Sequence, residues 1–354
     1  MSRLLRWMAG TFSARESMRA TPIKPRLQHA LHWIQKGLAV VASAILLAQP
    51  VQAAEADLPA WLKALHEAPL KHNYQGTMVI SVGDQMVSAH ITHVVDAGIP
   101  LERVDVLTGQ PRTSFRQGNR VITTWPDAKR WISEDRSDLG VFPGATGSAL
   151  ERVRQFYQLK ALREDRVAGR QAQVFEVIPR DQSRWGYRVW RDQTTHLIVK
   201  IQTLAPRSLE VLEQSAFTAL ETGQAIDASV ILRHLQPPSG YEVQRREVRT
   251  VDPEQWRLRY AASETGFSPT RAQLPIQQSD PLPQQPLQWL FSDGLASVSV
   301  FFEPAAAVVG VRERAIRQGA THTLLRETER MRLTLVGEVP LPTLVQIANG
   351  ISVD

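Results

Sequence analysis

From Asp57 the apolar residues fall at Leu58, Trp61, Leu62 and Leu65, a spacing of i, i+3, i+4, i+7 that predicts one apolar stripe on a helix. Pro59 suits the first turn, where its missing N–H has no helical partner to lose. From Tyr74 the period changes to two. Residues 74–81 and 85–94 read as strands joined at Gly83-Asp84, and 113–116 and 121–125 as a hairpin around Gln117-Gly118-Asn119. Residues 130–133 continue the sheet. Short strands separated by Gly, Asn and Asp turns indicate antiparallel neighbours, since parallel ones need long crossovers. Ser148 and Glu151 have capping-box spacing and predict a helix carrying Leu150, Val153, Tyr157 and Leu159 toward Arg163. Residues 166–167, 173–178, 185–190, 197–201 and a stretch from Leu209 read as further strands. The expected class is α+β, a long antiparallel sheet with helices against one face.

The periodicity weakens over 225–242, where Gln236-Pro237-Pro238-Ser239-Gly240 has linker chemistry. Beyond it, 274–286 reads as a Pro/Gln-rich loop, 295–302, 321–325 and 331–337 as strands, and 342–348 as a helix with Leu344, Ile347 and Ala348 on one face.

Charge changes the picture at the N-terminus. The whole chain of 354 residues carries a formal net charge of +6. Seven basic residues and one acid lie in 1–53, which leaves 34 of the 41 basic and 34 of the 35 acidic residues for 54–354. That segment is formally neutral and lacks the electrostatic footprint of a nucleic-acid binder. Within 1–53, Lys36 precedes the apolar run 37–48, and Val51 and Ala53 stand at −3 and −1 of a signal-type cleavage site after Ala53. The run is shorter than the roughly 20 residues a spanning helix needs. A retained anchor is the alternative reading, and either Met1 or Met18 serves as the start. The expected organisation is a basic, extended signal peptide over 1–53, a large domain over 54–224, a linker over 225–250 and a small domain over 251–354, with a periplasmic address.

The chain has no cysteine, which rules out disulfides, lipoprotein acylation, thiolate nucleophiles and zinc–thiolate sites. His90 and His93 are three apart on a predicted strand, so they face opposite ways and cannot chelate one metal. There is no G-x-S-x-G elbow, no H-E-x-x-H pair and no dinucleotide fingerprint. The loop 140–148 superficially resembles a phosphate cradle but has no lysine, and Ser148 is better read as a helix cap. Neither a catalytic residue, a metal nor a cofactor is expected. Aromatic residues are conspicuous instead: Trp125, Trp131, Trp185, Tyr187 and Trp190 fall on predicted strands. They are either core beneath helices or the lining of an incompletely covered face that holds an acyl chain or apolar peptide.

Several stretches, in order along the chain, resemble the RseB/MucB family of periplasmic sigma-E regulators. These are Asn73-Tyr-Gln-Gly-Thr77, Leu101-Glu-Arg-Val-Asp-Val-Leu-Thr-Gly109, Arg188-Val-Trp-Arg-Asp192, Leu209-Glu-Val-Leu-Glu-Gln-Ser-Ala-Phe217, Phe291-Ser-Asp-Gly-Leu295 and Val336-Gly-Glu-Val-Pro340. The chain departs from the family at Thr113-Ser114, where an acidic residue is common, and in having fewer aromatics after Trp125. The resemblance implies a half-open antiparallel barrel with helices packed inside its curve, similar to the LolA/LolB carriers, followed by a small C-terminal α+β domain. It implies binding to the periplasmic part of a single-span anti-sigma factor of RseA/MucA type, shielding it from site-one proteolysis until lipid or lipopolysaccharide signals release it. A lipid or lipoprotein carrier and an envelope hydrolase are the competing readings, and a homodimer stays open. On this view Met78, Ile80, Trp125, Trp185 and Tyr187 are candidates to line a lipid groove. Trp289, Phe291, Asp293 and Phe301 are candidates to hold the protein partner, with Trp289 and Phe301 equally readable as core.

Overall fold

Asp57 caps the first described helix, its carboxylate accepting from the Ala60 N–H at 3.4 Å. A computed structural model describes residues 57–136, 149–277, 286–304, 310–329 and 331–353. The signal-type segment, the loop 140–147 and its Ser148 cap, and most of the Pro/Gln-rich loop lie outside the described residues.

Helix α1 (Leu58–Glu67) buries Leu58, Trp61, Leu62 and Leu65, the stripe that the spacing predicts. A meander follows: β1 (Tyr74–Val82), β2 (Gln85–Asp96), β3 (Ile99–Val106), β4 (Arg112–Gln117), β5 (Arg120–Trp125) and β6 (Arg130–Asp135). Helix α2 (Ala149–Phe156) leads into β7 (Tyr157–Val167), β8 (Arg170–Pro179), β9 (Gly186–Asp192), β10 (Ile198–Leu204) and β11 (Val211–Thr222). Because β11 returns beside β1, these strands form one antiparallel ladder in the order β7-β8-β9-β10-β11-β1-β2-β3-β4-β5-β6. Strands as far apart as β3 and β8 contribute Val104 and Phe175 to a single core with the α1 stripe, so the sheet curls around that helix. Trp61 of α1 meets Phe175 of β8 at 5.3 Å between rings.

The predicted second helix is shorter than expected. It ends at Phe156, and Tyr157 and Leu159 lie on β7. The two residues are two apart, which is strand parity, and pairing with Pro179 and Val177 of β8 satisfies their backbone where a helix would leave the edge of β8 bare.

The stretch 225–250 holds α3 (Ser229–Leu232) and most of β12 (Glu242–Val251). Ile231 and Leu235 cover Val94, Leu101, Phe115, Ile122 and Trp131, a core on the face of the sheet turned away from α1. Thus both faces of the meander are apolar and both are covered. Strand β12 runs parallel to β6, with Glu242 beside Arg130 and Arg246 beside Glu134. The remaining strands are β13 (Leu258–Tyr260), β14 (Ser268–Gln277), β15 (Leu287–Ser292), β16 (Ser297–Pro304), β17 (Arg312–Gln318), β18 (Thr321–Glu327) and β19 (Met331–Gly337), before α4 (Leu341–Gly350) and β20 (Ile351–Val353). The ladder continues from β12 as β14-β15-β16-β19-β18-β17, so one sheet of 18 strands passes through both units; β13 and β20 pair separately. Helix α4 buries Leu344 and Ile347 in the second core, against Trp289, Phe291, Val300 and Leu335.

One backbone approach is decisive for the first unit. At Gly76 a Cβ would run into the carbonyl oxygen of Ala219 and sit 2.9 Å from Phe217 Cδ1. Gly76→Ala is therefore expected to prise β1 from β11 beside the bulge at Thr77/Met78, at about 1–3 kcal/mol by overpacking. Urea unfolding with an unchanged slope and a lower midpoint checks this.

Candidate functional site

The loop between β8 and β9 is wound tightly around Asp181. One of its carboxylate oxygens accepts from the Ser183 N–H and from Arg184 Nε, both at 2.9 Å, and the other accepts from Arg184 Nη2 at 3.0 Å. That fork aims the Arg184 guanidinium out of the first unit and over the Phe156 ring, 4.3 Å from its centroid. Facing it is the β15–β16 turn of the second unit. There Asp293 Oδ1 accepts the N–H groups of Leu295 and Ala296 at 2.9 and 2.8 Å, leaving Oδ2 free to face the other unit. Oδ2 receives Arg184 Nη1 at 2.5 Å and the Tyr157 hydroxyl at 2.9 Å. Arg184 also donates to the Thr265 carbonyl. Both side chains of this ion pair are 0% exposed.

Burial and the facing charges shift all three groups. Burial alone would lower the Arg184 pKa, but Asp293, Asp181 and Tyr157 raise it above the ordinary value. Burial and the facing carboxylate push Tyr157 well above the usual phenol range, so it remains a donor. Burial also pushes the Asp293 carboxyl up, against the pull of Arg184 and of its three other donors. A pair buried this deeply contributes little net stability, because desolvation offsets its attraction; what it does is penalise every arrangement in which the partners separate. Arg184–Asp293 is thus a register pin between the two units.

Five further contacts join the two units. Ala320, at the β17–β18 turn, gives its carbonyl to Trp185 Nε1 and its N–H to Glu213, each at 2.8 Å. Thr343 of α4 donates to the Ser183 carbonyl at 2.8 Å, Arg152 of α2 donates to Ser268 at 2.8 Å, and Arg246 pairs with Glu134 at 2.7 Å along the β6–β12 seam. Glu213→Ala is expected to strand the buried Ala320 N–H and lower stability by about 1–3 kcal/mol. Glu213→Gln, which keeps an acceptor oxygen, should lose less; melting of both variants checks the ordering.

The nominated residues fall in three places. Met78, Ile80 and Tyr187 sit together in the core under α1, each at most 3% exposed. Trp125 is buried apart from them, at the end of β5 beneath the Arg130 guanidinium, 4.4 Å from its ring. Trp185, nominated with Tyr187, lies in a different cluster from it. It precedes β9, across Gly186, and packs with Leu212 and Ala320 at the junction. Of the partner candidates, Trp289 and Phe291 belong to the second core, with rings 5.0 Å apart, and Asp293 is the buried anion of the junction. Phe301 is half-buried on the opposite face, beside Gln288 and Thr334. His93 is buried, its Nε2 2.9 Å from the Pro69 carbonyl and its ring stacked on Tyr74, so it ties the turn after α1 to the sheet. Of the junction residues, Arg184 and Thr265 were not singled out in the sequence, and Tyr157 was read only as a helix-face residue.

Two adjoining families match the chain: the MucB/RseB N-terminal domain over residues 57–235 and the MucB/RseB C-terminal domain over 236–352. The sigma factor AlgU regulatory protein MucB of Pseudomonas aeruginosa is 30% identical over 314 residues, covering 86% of this chain and 94% of that protein. The sigma-E factor regulatory protein RseB of Escherichia coli is 26% identical over 318 residues, covering 89% of this chain and 96% of its own. Among solved structures, the Pseudomonas aeruginosa MucA/MucB complex is similar with a TM-score of 0.64 at 29% identity, covering 84% of this chain and 99% of that one. A second structure, of MucB with MucA(peri), gives a TM-score of 0.63.

Proposed function

The chain belongs to the MucB/RseB family, and from that premise we propose that it is a periplasmic negative regulator of a sigma-E-type envelope-stress response. It binds the periplasmic part of a single-span anti-sigma factor of the RseA/MucA type and shields it from site-one proteolysis. The observation that carries this reading is the likeness, across both units, to a MucB solved together with MucA. The pinned junction supports it physically. A partner that touches both units binds without first having to order them, which lowers the entropic cost of association. Lipid or lipopolysaccharide signals release the hold. The lipid-groove candidates under α1 are consistent with a ligand that gains access by displacing that helix, at a cost in buried apolar contacts that a long acyl chain offsets.

The test uses the purified exported chain, the periplasmic segment of its cognate anti-sigma factor and the site-one protease. Cleavage is expected to slow in proportion to bound regulator and to resume when lipopolysaccharide is added. Cleavage at an unchanged rate, with the regulator folded and in excess, would contradict the reading.

A further inference from the structure

Helix α2 touches three parts of the molecule at once. Val153, 0% exposed, shares one core with Leu58, Trp61, Leu62 and Leu65 of α1. At the surface, Arg154 Nη2 lies 2.7 Å from the carboxylate of Asp57, the residue that caps α1. The C-terminal end of α2 is tied to the loop that carries Arg184, because the Phe156 carbonyl accepts the Arg180 N–H at 2.8 Å. The same end reaches the second unit. Arg152 donates to Ser268, and the Tyr157 hydroxyl just beyond the helix donates to Asp293. The Phe156 ring occupies a notch at Gly266, where a Cβ would run into the ring edge. The Arg184 guanidinium lies over that ring as well. In return the second unit sends Leu295, from the turn that Asp293 shapes, into the α1 core, where it is 1% exposed.

We propose that α2 couples the seating of α1 to the junction, so that lifting α1 from the sheet loosens the hold of the second unit on the first. The helix has 8 residues and is therefore about 12 Å long. Its own hydrogen bonds make it move as one body over that length. A displacement at Val153 and Arg154 must then appear at Phe156 and Tyr157. Phe156 has little slack, with Gly266 and the Arg184 guanidinium both against its ring. Close-packed contacts of this kind hold one arrangement or give it up, and do not deform continuously. Leu295 adds a direct link, because the core that buries it contains the α1 stripe. Coupling between two sites is reciprocal. A partner that holds the junction closed keeps α1 down, and a ligand that lifts α1 frees the junction, so the two exclude one another without touching. Only the part played by such a ligand rests on the proposed release by lipid; the link between helix and junction does not depend on it.

Gly266→Ala tests the link from its far end. Gly266 lies in the second unit with a φ of +73°, and the added Cβ must push the Phe156 ring aside. In the exported chain carrying this change, amide exchange over α1 residues 61–66 is expected to quicken by about tenfold or more, while the β1–β2 and β16–β19 ladders hold within about twofold. Alanine at a positive φ also strains its own loop, so Phe156→Ala/Gly266→Ala serves as the second variant. With the ring gone the new methyl has nothing to push, and α1 exchange should stay where Phe156→Ala alone sets it. Unchanged α1 exchange in Gly266→Ala overturns the proposal. Quickening spread evenly over both ladders, or an undiminished effect of Gly266→Ala in the Phe156→Ala background, overturns it too. Uptake of the apolar dye N-phenyl-1-naphthylamine reads the α1 core separately. Gly266→Ala should bind it about three- to tenfold more tightly than wild type, because α1 is already loosened. Coupled exchange with no dye uptake by either protein supports the link and counts against the lipid reading. Dye uptake equal in both proteins, with α1 exchange unchanged, counts against the link alone.

Discussion

Replacing Asp293 by alanine is expected to cost about 3–5 kcal/mol, the usual penalty for leaving a buried charge without its counter-ion. The loss has two parts. The turn loses its acceptor for the Leu295 and Ala296 N–H groups, and Arg184 is left buried against the Thr265 carbonyl and the partly exposed Asp181. Asp293→Asn keeps an oxygen for the turn and separates the two. Because the pin joins the units, its removal should also split thermal unfolding into two transitions by calorimetry. A double-mutant cycle with Arg184→Met isolates the coupling, and the double variant should be less unstable than the sum of the singles. In Arg184→Met alone, Asp293 loses the cation that opposes its upward shift, so its folded pKa climbs further above the unfolded value. A carboxyl raised on folding favours the native state only while protonated. The deficit of Arg184→Met should therefore be smallest at acidic pH and grow as pH rises from the ordinary carboxylate range through the folded pKa. A deficit that shrinks on raising the pH would mean that Asp293 is not the group responsible.

Phe291→Ala is the second large effect, expected at about 3–5 kcal/mol. Its ring is 0% exposed and packs at 4.8 Å against Tyr260 and 5.0 Å against Trp289. The same two β15 aromatics were candidates for partner contact, and the two roles predict different experiments. As core, Phe291→Ala lowers the melting temperature first, and any loss of binding follows the unfolded fraction. As a contact, binding would fail at temperatures where the variant remains fully folded. Phe301, half-buried on the other face, is the residue of this group whose alanine variant should leave Tm nearly unchanged.

Much of the fold was legible because one face of most elements is apolar. Alternation located β1, β2 and β19, and the i, i+3, i+4, i+7 stripe located α1, because burial against a single core selects those spacings. Where both faces meet water the signal vanishes: β12 and β17 are exposed along almost their whole length, so no alternation marks them. β3 was missed because Pro100, Glu102, Arg103 and Asp105 interrupt its apolar positions. The end of α2 was hidden because no Gly or Pro marks it, although the spacing of Tyr157 and Leu159 fits a strand face better than a helix face. The junction was opaque for another reason. Arg184 and Asp293 are 109 residues apart, and only the tertiary fold tells a pinned charge from a solvated one. Asp293 stood out as a charge among aromatics, but its partner had no local signature.

The most direct measurement of the central claim is calorimetric titration of the purified exported chain with the periplasmic segment of its cognate anti-sigma factor. Saturable binding with a fixed stoichiometry, weakened in Asp293→Ala at a temperature where both units remain folded, is the predicted result. A folded wild-type chain that takes up no segment at concentrations far above those in the envelope would contradict the account.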